Sequence, residues 1–120
     1  MTINSITENG TVCAIVESGE KVITDTQSAI DLMMTVRYDA GTDKIAISKD
    51  LITNDFFILS SGLAGEILQK FTNYNAKIAI YGDYSRYTSK PLKDFIYESN
   101  KGKSCFFVST KEEAIQMLAR

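Results

Sequence analysis

Four short apolar segments constrain the fold more than any other feature of the sequence. They are Val12–Val16, Lys44–Ser48, Lys77–Tyr81 and Cys105–Val108. The stretches between them place apolar residues at the 3.6-residue spacing of amphipathic helices. Short buried strands that alternate with helices predict a largely parallel sheet, because parallel strands need long crossover connections that cover the faces of the sheet.

A hairpin is predicted before this alternation begins. Ile3 and Ile6 belong to a short, polar-rich strand, and Asn9-Gly10 is typical of a two-residue turn in which both positions need positive φ. The predicted order of elements is therefore β-β-α-β-α-β-α-β-α. We predict a single α/β domain over residues 1–120, with a mixed, mostly parallel five-stranded sheet and about four helices.

Capping residues and glycines predict the helix boundaries. The first helix is predicted to be capped by Thr26 and to end at Gly41, which suits a left-handed conformation. The second is predicted from about Gly62 to Tyr74, with Gly65 letting it lie close to the sheet. Apolar spacing gives the first helix a predicted core face of Ala29, Ile30, Met33, Met34 and Tyr38.

The charge and hydropathy of the chain argue against two classes of partner. The net charge of −2 offers no basic face to a nucleic-acid backbone, and no apolar run reaches the roughly 18 residues of a membrane span. The first residues lack the basic and apolar regions of a signal peptide. We therefore expect a cytoplasmic protein with neither a nucleic-acid nor a membrane partner.

The side chains that most enzymes and metal sites use are scarce. The chain has no histidine, which removes the commonest general base and the commonest zinc ligand. Its two cysteines, Cys13 and Cys105, lie inside apolar segments, so we expect buried, unpaired thiols. No catalytic residue, metal site or cofactor is predicted, and the balance of the sequence is against an enzyme.

The most distinctive stretch is Asp55–Phe71, which begins as an apolar run, breaks at two serines and a glycine, and continues as an amphipathic helix. At a helix start, free N–H groups and the helix dipole favour negative charge. Ser60, Ser61 and Gly62 are therefore the candidate phosphoacceptor or anion site. The alternative is that a serine simply caps the helix.

A second candidate surface follows the strand Lys77–Tyr81, because ligands of open α/β sheets bind outside the carboxyl ends of the strands. Its candidate binding residues offer carboxylates, a bidentate donor and stacking faces, and are Asp55, Asp83, Tyr84, Arg86 and Tyr87. We expect the charged members to share one surface with Ser61. The alternatives are that Asp55 caps a turn and that the tyrosines fold onto the core.

The element order, with Ser60-Ser61-Gly62-Leu63 opening a helix after the third strand, resembles the STAS domain, the fold of bacterial anti-sigma-factor antagonists. In that family the serine before the glycine is phosphorylated, and the resemblance places this role on Ser61. The family has aspartate at the position of Leu59 and glycine at that of Ala64. The resemblance implies a regulatory module that acts by binding a protein.

A longer run of residues is similar to a bacterial family of uncharacterised proteins, the domain of unknown function numbered 4180. The run comprises Asp55–Phe71, Asn73-Tyr74, Lys77–Ile80 and Gly82-Asp83. This similarity implies membership of that family and brings no mechanism.

Together these observations predict a small regulatory or protein-interaction module, switched by modification or anion binding at Ser60–Gly62. The alternative is a small-molecule or nucleotide-binding domain that uses Ser60–Gly62 and the Gly82–Tyr87 loop. A protein partner is expected. A homodimer is a further expectation, because Ile3, Ile6 and the edge hairpin can pair with another chain.

Overall fold

A computed structural model describes all residues 1–120 as one five-stranded sheet with four α-helices. The strands are β1 (Thr2–Glu8), β2 (Thr11–Glu17), β3 (Lys44–Ser48), β4 (Lys77–Tyr81) and β5 (Cys105–Val108). The helices are α1 (Thr26–Ala40), α2 (Leu63–Asn73), α3 (Lys90–Lys101) and α4 (Lys111–Leu118). The predicted α/β class and the numbers of strands and helices are confirmed.

The strands lie in the sheet in the order in which they occur in the chain. β1 is antiparallel to β2, and β2, β3, β4 and β5 are mutually parallel. Asn9 and Gly10 form the hairpin turn between β1 and β2, and both have the positive φ angles, 50° and 77°, that the sequence predicts for such a turn. The mixed, mostly parallel sheet is thus confirmed.

The core lies on both faces of the sheet, because successive side chains of a strand point to opposite faces. Ile45 and Ile78 belong to the larger cluster, which α1, α2 and α3 cover. Ala46 and Ala79 belong to a smaller cluster, which α4 alone covers as it packs against β2 to β5. Three crossover helices on one face are what crossovers of constant handedness give when strands are added in sequence.

Helix α1 differs from its prediction at both its start and its core face. Asp25, not Thr26, is the N-cap, and its carboxylate accepts the Ser28 N–H. Met34 is 40% exposed and Tyr38 is 91% exposed, so neither belongs to the core face. The buried face is Ala29, Leu32, Met33 and Val36. This set keeps the i, i+3, i+4, i+7 spacing of one helix face, whereas the predicted set included positions that lie outside that face.

Two glycines of the α2 region have different roles from each other. Gly62 has a φ of 79° and lets the chain turn into α2, as predicted. Gly65 is exposed, and a Cβ built on it meets nothing within 4 Å. The prediction that Gly65 lets the helix lie close to the sheet is therefore wrong.

Three short 3₁₀ turns fill the connection between β3 and α2. They are Lys49–Leu51, Asn54–Phe57 (the Phe turn) and Leu59–Ser61 (the Ser turn). None of the helices combines the length and the hydropathy that a bilayer crossing requires. The cytoplasmic location stays a prediction.

Candidate functional site

The candidate residues gather at the edge of the sheet where the parallel strands end. The Phe turn and the Ser turn belong to the connection that leaves β3 at this edge, and the β4–α3 loop (residues 82–89) leaves β4 beside it. In open α/β sheets this carboxyl edge is where ligands bind. Both stretches that the sequence singled out are therefore attached to the same edge.

An aromatic cluster fixes the β4–α3 loop against the Phe turn. Phe57 and Tyr87 are stacked, with ring centroids 5.1 Å apart and planes 12° apart. Phe57 also meets Phe56 edge to face at 5.0 Å, and Tyr84 meets Phe107 of β5 edge to face at 5.8 Å. These contacts confirm the alternative that the tyrosines of this loop fold onto the core.

Tyr84 faces inward with its hydroxyl as well as its ring. The hydroxyl donates a hydrogen bond to the Ile80 carbonyl at 2.5 Å, and the side chain is half-buried. Burial raises the pKa of Tyr84 well above its usual range, so the phenol stays protonated. Tyr84 thus packs under the β4–α3 loop, and its hydroxyl is hydrogen-bonded to strand β4 rather than available to a ligand.

Lys49 is a residue of this edge that the sequence predictions missed. It directly follows β3, and its Nζ lies 5.3 Å from the centroid of the Tyr87 ring, within the range of a cation–π contact. Its Cγ fills the space beside Gly82, where a Cβ would approach to 2.7 Å. A cation immediately after a parallel strand was the available signal, since that position opens onto the ligand-binding edge.

Asp83 and Arg86 are the exposed charges of the β4–α3 loop. The Asp83 carboxylate accepts the Ser85 N–H at 2.9 Å, and this bond lowers the pKa of Asp83, with smaller contributions from the Arg86 and Lys49 charges. Arg86 is exposed and forms no salt bridge or hydrogen bond within the chain. Its guanidinium is therefore free for a bidentate contact with a partner.

Ser61 and Asp55 are joined by a hydrogen bond. The Ser61 hydroxyl donates to the Asp55 carbonyl at 2.7 Å and accepts the Leu63 N–H at 3.2 Å. The Asp55 side chain is exposed in the Phe turn and makes no capping hydrogen bond, because the N-cap of this turn is Thr53. The alternative that Asp55 caps a turn through its side chain is therefore wrong. The Ser60 hydroxyl is exposed and makes no hydrogen bond within the chain. Of the two serines, only Ser61 is held in place.

The start of α2 is built differently from simple serine capping. Gly62, which has no side chain to accept a bond, is the N-cap, and Ser61 satisfies the Leu63 N–H from one residue earlier. Glu66 already places a carboxylate in the first turn, where it accepts the Thr26 hydroxyl of α1 at 3.0 Å. This carboxylate interacts favourably with the helix dipole and would repel a second anion at the same end.

The structure brings the two candidate stretches together through their aromatic residues. Phe57 follows Asp55 by two residues and Tyr87 directly follows Arg86, so the stacked rings draw both segments to one place. A shallow hollow of about 540 Å³, lined by residues 82–85 and Ser109, lies beside them. We use the name carboxyl-edge surface for five residues, of which Lys49 is half-buried and the others are exposed: Lys49, Asp55, Ser61, Asp83 and Arg86.

The sequence of residues 8–118 matches the family described as "Domain of unknown function (DUF4180)". The chain belongs to the DUF4180 family. The match covers every element except most of β1. It confirms the family that the Asp55–Phe71 run indicated. No curated protein and no solved structure matches the chain, so the resemblance to STAS domains stays a prediction.

Other parts of this DUF4180 chain offer fewer side chains that could bind a metal ion or act as nucleophiles. No three acidic or cysteine side chains converge in a way that would hold a metal ion. Cys13 and Cys105 are buried and free, as predicted, and burial raises the pKa of both thiols, which makes them poor nucleophiles. A second hollow of about 640 Å³ lies between α1 and residues 18–22, where the sequence predicted no site.

Proposed function

We propose that this DUF4180 chain is a regulatory protein-interaction module whose carboxyl-edge surface binds a protein partner. The observation that carries the proposal is the stacked pair Phe57 and Tyr87. It packs the Phe turn against the β4–α3 loop, which supports the proposal that groups far apart in sequence form one fixed surface. A surface that is ordered before binding loses less conformational entropy when a partner docks.

The chemistry of the surface fits a protein partner. Arg86 is free and exposed, and arginine is among the residues that most often dominate the binding energy of interfaces. Asp55 and Asp83 add exposed groups of opposite sign, which would select the orientation of a partner with complementary charges. The hollow beside them is shallow and lined by residues 82–85 and Ser109, which suits a protruding side chain of a partner.

Phosphorylation of Ser61 would act on this surface by a definite route. The hydroxyl now donates its proton to the Asp55 carbonyl. A phosphoserine Oγ carries no proton to donate, so this bond would be lost while a charge of about −1.5 to −2 is added near the Glu66 end of α2. We therefore propose that modification of Ser61 loosens the Phe turn and weakens partner binding. The resemblance to STAS domains supports this role.

The test is capture of the partner by a photo-crosslinking residue introduced at Ser85, in a lysate of the native host. The matched positional control carries the same residue at Gln116, which is exposed on α4. A protein captured at position 85 and absent at position 116 is the expected result. Equal capture at both positions, or capture at position 116 alone, would contradict the proposal.

The captured partner is then tested with two charge-matched variants. Arg86→Ala is expected to weaken its binding about tenfold, or about 1.4 kcal/mol, as a typical hot spot does. Lys103→Ala removes the same charge just before β5, at the amino ends of the parallel strands and away from the carboxyl-edge surface. It is expected to change binding little. Loss of binding in the Lys103 variant with retention in the Arg86 variant would place the interface elsewhere.

A small anionic ligand is the second candidate, and the pair of cations at this edge favours it. Lys49 lies over the Tyr87 ring and Arg86 follows Ser85 beside the hollow. Ligand binding to the native state must raise the thermal midpoint. A midpoint raised by nucleotides in the wild type and not in Arg86→Ala would favour this candidate, and no shift with nucleotides or phosphate would disfavour it.

A further inference from the structure

The two edge strands of the sheet, β1 and β5, differ in how the rest of the chain protects their free backbone groups. At β5, the Asn100 side chain of α3 donates to the Phe107 carbonyl at 3.1 Å and accepts the Phe107 N–H at 2.7 Å. One amide therefore occupies both hydrogen-bonding groups of the central outward residue of this strand. The β5 edge, only four residues long, is closed to another strand at its middle.

The β1 edge lacks every such protection. β1 is seven residues long, pairs with β2 along its whole length without a bulge, and contains neither proline nor lysine. Glu8 is its only charged residue, and it stands at the end next to the turn. No backbone hydrogen bond from another loop or helix reaches β1. These are the features of an edge that accepts a further strand.

The hairpin determines which backbone groups β1 offers. A two-residue turn closes with a hydrogen-bonded pair, here Glu8 with Thr11, and such pairs then occur at every second position of an antiparallel ladder. The even-numbered residues of β1 therefore bond to β2. Ile3, Ser5 and Thr7 point their N–H and C=O groups outward, away from the sheet.

We propose that β1 pairs antiparallel with β1 of a second copy of this chain, about a two-fold axis at Ser5. In this register Ser5 faces Ser5 of the second copy, and Ile3 faces its Thr7. Each hydrogen-bonded pair exchanges two bonds, so the three outward residues of each strand form about six. A shift of this register by two residues in either direction brings a turn or terminal residue into the ladder and leaves about four hydrogen bonds between the strands. The two five-stranded sheets become continuous.

The side chains agree with this register. Ile6 is paired with Cys13, which places it on the face covered by α4, yet α4 packs over β2 to β5 and leaves Ile6 38% exposed. In the dimer, Ile6 lies diagonally next to Ile6 of the second copy, within reach of an apolar contact. Glu8 faces Thr2, so no like charges are opposed along the ladder.

A pair of cysteine variants of the full chain tests the register. Directly opposed residues of a hydrogen-bonded pair have Cα atoms about 5.5 Å apart, which a disulfide can span. Ser5→Cys is therefore expected to form a covalent dimer under mild oxidation, seen on a non-reducing gel. Thr7→Cys, on the same face of the same strand, is expected to stay monomeric because it faces Ile3. Equal cross-linking of both variants, or of neither, would overturn the register.

A charge exchange measured by sedimentation tests the dimer itself. The wild type is expected to reach twice the 13.3 kDa monomer mass as its concentration rises. Ile6→Lys is expected to stay monomeric, whereas Met34→Lys, at a similarly exposed site on α1, is expected to dimerise. Mixing Ile6→Lys with Ile6→Glu is expected to restore the double mass, because the diagonal positions then carry opposite charges. A wild type that is monomeric at every concentration, or a mixture that stays monomeric, would refute the proposal.

Discussion

The stacked rings of Phe57 and Tyr87 give the sharpest test of the idea that two distant segments form one surface. Their centroids are 5.1 Å apart and their planes differ by 12°. Phe57 is buried, and it also touches Phe56 and Tyr84. The perturbation is a double-mutant cycle of Phe57→Leu, Tyr87→Leu and the double variant. Leucine keeps an apolar side chain at each site while it removes the ring.

The expected magnitudes follow from the contacts. Phe57→Leu should lower the free energy of unfolding by about 1–2 kcal/mol, because leucine retains most of the buried apolar area. Tyr87 is only half-buried, so Tyr87→Leu should cost less, about 0.5–1.5 kcal/mol. If the rings interact as stacked partners, the double variant should lose about 0.5–1.5 kcal/mol less than the sum of the single losses.

Urea unfolding followed by far-ultraviolet circular dichroism measures all four free energies, since the chain has no tryptophan to report by fluorescence. The control cycle combines Phe57→Leu with Tyr97→Leu, because Tyr97 is exposed on α3 and stacks on no other aromatic ring. Its coupling is expected within about 0.5 kcal/mol of zero. A coupling between Phe57 and Tyr87 no larger than this control would refute the reasoning that the loop and the Phe turn are one unit.

Three further predictions concern single substitutions. Gly82→Ala should lower the free energy of unfolding by about 1–3 kcal/mol, because Gly82 has a φ of 155° and its new Cβ would meet Lys49 at 2.7 Å. Gly65→Ala should raise the free energy of unfolding by about 0.5–1 kcal/mol, because a Cβ at this helical position meets no other atom within 4 Å. Urea midpoints of both variants decide this, and destabilisation by Gly65→Ala would contradict the open surroundings of that glycine. Because the folded pKa of Asp83 lies below its ordinary 3.8, its charge stabilises the fold above that pH and the contribution is lost as the pH falls through the lower, folded value. Asp83→Asn should therefore lower the thermal midpoint at neutral pH, by an amount that vanishes in acid; a difference that persists in acid would show that charge is not its source.

The features that the sequence predicted well are those that short-range chemistry determines. The hairpin turn at Asn9-Gly10 needs only the local preference for positive φ, and the buried strands need only their apolar runs. The start of α1 was harder, because Asp25 and Thr26 are adjacent residues that both cap helices well. The choice between them is decided by the reciprocal bond with Ser28, which a pattern of residue types does not resolve.

The site was predicted residue by residue but not as an arrangement. Asp55 and Ser61 were singled out separately, and the bond between the Asp55 carbonyl and the Ser61 hydroxyl depends on the two 3₁₀ turns that fold one residue over the other. Lys49 was missed because its contacts are with Gly82 and Tyr87, more than thirty residues away. Long-range contacts of this kind follow from the order of strands in the sheet, which local sequence patterns do not specify.

The unequal covering of the two faces of the sheet has a consequence for the growing chain on the ribosome. Each strand pairs with the strand made just before it, so the sheet can extend step by step during synthesis. One face is covered by helices along the way, but the other waits for α4, the last element. Until then Cys13, Ala46, Ala79 and Phe106 form an uncovered apolar strip. A nascent chain halted after β5 would thus hold all five strands of the sheet with one apolar face uncovered, the state in which a chaperone is most needed.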